Sequence, residues 1–95
     1  MEKEIVYTDH LQLRLKIREI DSDLPRQVYE EATERYFDIV TEYNIAVGEA
    51  YYKGKYREMA VIYSEMTWEI RLITIYPLKS YEKISKIESG RWRKR

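Results

Sequence analysis

From Tyr56 to Tyr76 the chain reads YREMAVIYSEMTWEIRLITIY. Two runs rich in β-branched and aromatic residues, Met59–Tyr63 and Ile70–Tyr76, flank a short polar connection, Ser64–Glu69. That pattern predicts an antiparallel hairpin inside a sheet. Met59–Tyr63 is apolar without a break, as in a strand covered on both faces. Upstream, Asn44–Tyr52 predicts a further strand. Lys53-Gly54-Lys55 joins it to the hairpin as a tight turn, with glycine where a positive φ is needed. Gly48 inside that strand points to a bulge or to a close backbone approach. Strands over 44–52, 56–64 and 69–76 make a three-stranded meander, which Pro77 ends.

The N-terminal third is harder to read. Glu4–Thr8 reads as a short lead-in strand. In His10–Ile20, Leu11, Leu13, Leu15 and Ile17 alternate with Gln12, Arg14, Lys16 and Arg18, a period of two that fits a strand. Local chemistry favours a helix instead: Asp9 and Gln12 have capping-box spacing, and Leu, Arg, Lys and Gln are strong helix formers. A helix is preferred here, with a strand as the alternative. Asp21-Ser22-Asp23 then starts a second helix with Pro25 in its first turn, ending near Glu34. Leu24, Val28 and Ala32 give it an apolar stripe. Tyr36–Val40 reads as a short strand or an extended connection. Ser80 caps a last helix over roughly 81–89, and Gly90 is its C′ residue. The expected fold is a single α+β domain over residues 1–95. It comprises two N-terminal helices, an antiparallel meander of three to four strands and a C-terminal helix, followed by a basic tail, 91–95.

Composition narrows the chemistry. With 95 residues and no cysteine, the chain has neither a disulfide framework nor a thiol nucleophile. No apolar run approaches the length of a membrane span, and MEKEIVY lacks the layout of a signal peptide. A cytoplasmic protein without membrane partners is the expectation. Seventeen basic and 17 acidic residues cancel, so there is no overall positive field. The charges are nonetheless segregated. His10, Arg14, Lys16 and Arg18 cluster near the start, Arg91, Arg93, Lys94 and Arg95 at the end, and acids dominate 30–49. Ten tyrosines suit either a thin core or an interface.

His10, Arg14 and Arg18 recur at i, i+4 and i+8, so a histidine able to move protons sits beside two cations able to hold phosphate. A solvated helix face is the alternative. Arg71 is the one charge between Ile70 and Tyr76. Strict alternation places it with Ile73 and Ile75, opposite Leu72, Thr74 and Tyr76. Either it pairs with Glu58 or Glu69, or it faces an anion site. The tail RWRKR could contact phosphates and stack a base, or end the chain as a solubilising segment. Trp92 is expected to dock on the sheet and Arg91 to be held, with 93–95 mobile. Glu30, Glu31, Glu34 and Asp38 read as a solvated acidic helix face. With one histidine and no Gly-rich loop, neither a metal nor a nucleotide cofactor is expected.

Several short motifs occur together. They are His10-x3-Arg14-x3-Arg18-x-Ile20, then Tyr36-Phe37-Asp38 with Thr41, the Lys-Gly-Lys turn, and a strand ending in Tyr63. Ile73-Thr74-Ile75-Tyr76-Pro77-Leu78 and Ser89-Gly90-Arg91-Trp92 close the set. Over roughly residues 5–92 this pattern resembles small prokaryotic proteins of unknown function related to BrnT-type toxins, in the RelE/ParE toxin superfamily. The chain carries Tyr76-Pro77 where that pattern often has His-Pro. The resemblance implies helices packed on an antiparallel sheet, metal-independent cleavage of mRNA, and neutralisation by an antitoxin protein. Such cleavage needs a base for the 2′-OH, an acid for the leaving oxygen and cations for the phosphorane. On this reading the candidate catalytic residues are His10, Arg71, Tyr76 and Arg91, with Tyr63 as a further proton donor. Arg14, Arg18, Trp92 and Arg93 are the candidate RNA contacts. A non-catalytic interaction module, homodimeric through a sheet edge or a tyrosine-rich face, is the competing reading.

Overall fold

The segments rich in β-branched and aromatic residues become strands in the computed structural model, which describes residues 2–95, whereas the alternating stretch within His10–Ile20 becomes a helix. In chain order the elements are β1 (Glu4–Tyr7), α1 (Asp9–Ile17), α2 (Leu24–Glu30), β2 (Glu34–Asp38) and β3 (Asn44–Tyr52). They continue with β4 (Lys55–Glu65), β5 (Glu69–Pro77), α3 (Ser80–Glu88) and β6 (Trp92–Lys94). All six strands join one sheet in the order β1-β5-β4-β3-β2-β6. β1 runs parallel to β5, and the other neighbouring pairs are antiparallel.

This corrects the expected architecture. The chain is α+β, but it is not two N-terminal helices followed by a short meander and a helix. The lead-in strand read at Glu4–Thr8 is present as β1, but its parallel pairing with β5 makes the sheet mixed, and a further strand follows α3. The three strands outside the meander are four, five and three residues long, too short to carry a readable period of two. β1 is fixed by tertiary contacts instead: Ile5 stands opposite Ile70, and Tyr7 opposite Leu72, along β5.

Two apolar clusters lie on the two sides of the sheet. On one side α1 and α2 bury Leu11, Leu15, Leu24 and Val28 against Met59, Val61, Leu72 and Ile75. On the other, Tyr36, Ile45, Val47, Ala60, Leu78 and Trp92 form a smaller cluster. The helix at α1 is as expected, but its cap is Thr8, whose Oγ1 accepts from the Leu11 N–H at 3.1 Å, rather than Asp9. α2 ends at Glu30, several residues before Glu34, because Glu34 already pairs with Val47 in the sheet. Gly48 marks a close approach. A Cβ there would lie 3.4 Å from the Ala32 Cα and 3.5 Å from the Val28 carbonyl oxygen, so β3 can run directly beneath α2.

The bulge is in β5. Tyr63 pairs with Leu72 and Ile62 with Thr74, leaving Ile73 as the extra residue. The alternation therefore shifts by one. Leu72 and Ile75 both enter the helix-side core, while Tyr76 joins the cluster on the far side. Arg71 also points to the far side, with Ser64 as its cross-strand partner. Strict parity had separated Arg71 from Tyr76; the bulge puts them on one face.

The β3–β4 connection has two central residues, with Lys53 at φ 49° and Gly54 at φ 83°, and Tyr52 paired with Lys55. A type I′ turn requires positive φ at both, which lysine adopts poorly. Lys53→Asn is expected to raise stability by about 0.5–1 kcal/mol, read as a higher urea midpoint at unchanged m.

Candidate functional site

The face opposite α1 and α2 is covered at one end only. There α3 is moored by Lys83, whose Nζ donates to Glu34 Oε2 at 3.1 Å and to Glu58 Oε2 at 2.9 Å. Tyr36 donates its hydroxyl to the same Glu34. That hydrogen bond, acting with Lys83 against desolvation, holds the Glu34 carboxyl below its ordinary range. Burial and the Glu34 hydrogen bond push the Tyr36 phenol up to about 12. Glu34 and Asp38 thus lie on β2 and are paired, not on a solvated helix face. Lys83→Met would leave two facing carboxylates uncompensated. We expect a loss of about 1–2 kcal/mol by urea unfolding, less than for a fully buried pair because both glutamates keep some solvent.

The other end of the face is open. A depression of about 300 Å³ is lined by His10, Tyr43, Ser64, Met66, Arg71 and Ile73, with Thr8 at its floor. A second, of about 280 Å³, continues past Met66 and Arg71 to Trp68. Thr8 holds this region together. Its backbone N–H donates to Leu72 O at 3.1 Å and its hydroxyl to the bulge carbonyl of Ile73 at 3.4 Å, while the same oxygen caps α1. The N-terminus of α1, with exposed His10 in its first turn, is therefore tied to the bulge that orients Arg71. The Arg71 Nε donates to Glu69. Its terminal nitrogens have no protein partner among the described residues, and its side chain is half exposed.

Tyr76 lies further along the same face. Its phenol is raised above the ordinary value, first by burial and then by Glu82 and Asp38, with Arg91 acting against them. Arg91 is held as expected: its Nε donates to Asp38 Oδ1 at 3.0 Å and Oδ2 at 3.1 Å. Asp38 is 5% exposed and also accepts from the N–H groups of Val40 (2.9 Å) and Thr41 (3.3 Å). Burial alone would raise its pKa. The Arg91 hydrogen bond and the two backbone donors outweigh it and bring the carboxyl down to about 2.

The remaining candidates separate from this surface. Arg14 and Arg18 are half-buried along α1 and line neither depression. Trp92 docks on the sheet as expected, 2% exposed and stacked on Tyr36 with centroids 5.6 Å apart, so its indole cannot stack a base. Tyr63 is 4% exposed on the helix side, where its hydroxyl accepts from Arg35 at 3.3 Å. It cannot donate a proton on the open face. Arg93 is exposed on β6. Residues 93–95 are not a free tail: Arg93 and Lys94 stand opposite Phe37 and Tyr36, and the Arg95 N–H donates to Arg35 O at 3.0 Å.

Sequence reasoning passed over Asp38 as a partner, and Tyr43, Ser64 and Trp68 as wall residues. The available signal was the indole: a tryptophan in a polar connection between two strands has no core to enter, and Trp68 is 69% exposed. What the open end offers chemically is an imidazole, an arginine with free donors and two exposed aromatic rings on its rim; Tyr76 and Arg91 line neither depression, and Tyr76 packs on the cluster at the end that α3 covers.

No protein family, curated protein or solved structure matches the chain. Among the described residues, no helix is long and apolar enough to cross a membrane, and no group of three or more His, Asp or Glu side chains could hold a metal ion.

Proposed function

We propose that the chain is a toxin-like protein of a toxin–antitoxin pair, a metal-independent endoribonuclease whose substrate surface is the open sheet face. The observation that carries this reading is the Ile73 bulge, which brings Arg71 and Tyr76 to one side and ties the His10 end of α1 to it. His10 acts as the general acid or base, within reach of a strand lying across β5. Arg71 holds the scissile phosphate through the donors that Glu69 leaves free. Tyr76, with its proton firmly held, donates a hydrogen bond to a developing oxyanion. Tyr43 (40% exposed) and Trp68 give unpaired bases two faces to stack on, which suits single-stranded RNA. Arg91 is a positioning residue here: its guanidinium is committed to Asp38.

Expression of the wild-type protein in a growing host is expected to arrest growth and fragment mRNA. His10→Ala and Tyr76→Phe are expected to abolish both at unchanged protein level. Intact RNA and normal growth with the wild type would overturn the reading. Arg91→Ala is a poor probe because it strands a buried carboxylate. A second reading, a non-catalytic interaction module, is favoured by the outward apolar stripe of α3. It predicts wild-type expression without effect on RNA.

A further inference from the structure

The connection between α1 and α2 runs beside the end of the β3–β4 hairpin. Ile20 and Leu24 anchor it in the helix-side core, in the cluster that Tyr52 of β3 also enters. Between the connection and the hairpin lies a cavity of about 540 Å³. The connection lines it with Glu19, Asp21 and Asp23, and the hairpin with Tyr51, Tyr52, Lys53 and Tyr56. The Tyr51 and Tyr56 rings meet edge to face, 5.3 Å between centroids, and both are exposed. None of these residues lines the depressions beside His10 and Arg71.

Two independent observations point to a ligand. The first is Tyr52. It is only 9% exposed and lines the cavity, yet its hydroxyl makes no hydrogen bond among the described residues and is not sealed from solvent. An enclosed phenol ordinarily finds a partner for its O–H within the protein. Here the cavity is where a partner can be met. The second is charge. The lining sets three carboxylates against one ammonium, that of Lys53, an excess of two negative charges. None of the three carboxylates is in an ion pair among the described residues. Asp21 spends one oxygen on the Asp23 N–H at 2.9 Å. The neighbouring cations are turned elsewhere: Lys53 and Arg57 lie over the Tyr52 ring at 5.5 Å and 5.7 Å, and Arg26 pairs with Glu30.

The carboxylates are spread rather than gathered, and among the described residues they form no group able to hold a metal ion. A ligand with its positive charges spaced along an apolar stem matches that spread. Its ammonium or guanidinium groups donate to separate carboxylates and to the Tyr52 oxygen, while its methylenes lie against the Tyr51 and Tyr56 rings. We infer that this cavity binds a small aliphatic dication, a diamine or an amine bearing a guanidinium. The site does not depend on the open sheet face acting on RNA.

The test is calorimetric titration of the full chain with agmatine. Saturable one-to-one binding is expected, weaker as salt rises. Butylguanidinium, which lacks the second charge, is expected to bind roughly fivefold more weakly. Tyr52→Phe is expected to weaken agmatine binding about three- to tenfold. Its circular dichroism spectrum and melting temperature should be unchanged, because the hydroxyl has no partner in the protein. Glu19→Gln/Asp23→Asn is expected to weaken binding roughly fivefold or more, and Lys53→Gln to tighten it about two- to fivefold. No saturable binding, equal binding of butylguanidinium or of magnesium chloride, or undiminished binding in both the Tyr52 and the double variant would each overturn the inference. Preference for a short basic peptide over agmatine would overturn it in favour of a protein partner.

Discussion

Asp38→Asn is expected to cost about 2 kcal/mol at neutral pH and to remove much of the protein's acid lability. The folded carboxyl sits at about 2, below its ordinary 3.8. A carboxylate with a depressed folded pKa contributes stability that is complete above its unfolded pKa and is lost as pH falls through the folded value. For a shift of this size the contribution is about 2 kcal/mol, present above roughly pH 5 and dissipated towards pH 2. Burial makes the figure meaningful, since the carboxylate is almost fully enclosed and cannot exchange Arg91 for water. Urea unfolding from pH 7 to pH 2 should show wild type and variant converging at the acid end. A residual slope should persist in the variant, because Glu34 and Glu65 are also held low, by Tyr36 and by Lys3. Parallel curves would show that Arg91 and Asp38 are not coupled in solution.

His10→Ala is expected to lower the rate of RNA cleavage by about 10²–10⁴, the range for removing a general acid or base. Tyr76→Phe is expected to lower it by about 10²–10³, the range for one oxyanion donor. Arg71→Ala should chiefly weaken binding. Its side chain is half exposed and its one partner, Glu69, is a neighbour on the same strand, so the fold should not suffer. By contrast Arg14→Ala and Trp92→Phe should leave cleavage near wild type. Arg14 lines neither depression, and the indole is enclosed beneath Lys86.

Much of the sheet was legible because β3, β4 and β5 are long and strongly patterned. Their ranges differ from the expected ones by no more than a residue at either end. The Lys53-Gly54 turn and the Gly90 stop were legible because positive φ leaves few choices, and Gly90 sits at φ 82°. β1 was legible as a strand over Glu4–Thr8 and β2 as a strand or extended connection, but their places in the sheet, and β6 altogether, were not, because that pairing is set by contacts distant in sequence. Glu4 faces Glu69, and Phe37 faces Arg93. The mixed order of the sheet follows from those contacts and from nothing local. The site was half legible. His10, Arg71, Tyr76 and Arg91 were singled out by residue type, but strict alternation set Arg71 and Tyr76 on opposite faces. A single inserted residue at Ile73 reverses that. A bulge has no fixed sequence mark, least of all within ITI, where every residue is an ordinary strand former. The inverted seating of α3, with Tyr81, Ile84 and Ile87 exposed, was also hidden, since its periodicity is the same whichever side faces in.

The most direct measurement is incubation of the purified protein with a short single-stranded RNA in the presence of a chelator. The wild type is predicted to cut the RNA, leaving a 2′,3′-cyclic phosphate end, with His10→Ala and Tyr76→Phe each folded and inactive. RNA left intact by the wild type, or cleavage undiminished in both variants, would contradict the assignment of the open sheet face as the catalytic surface.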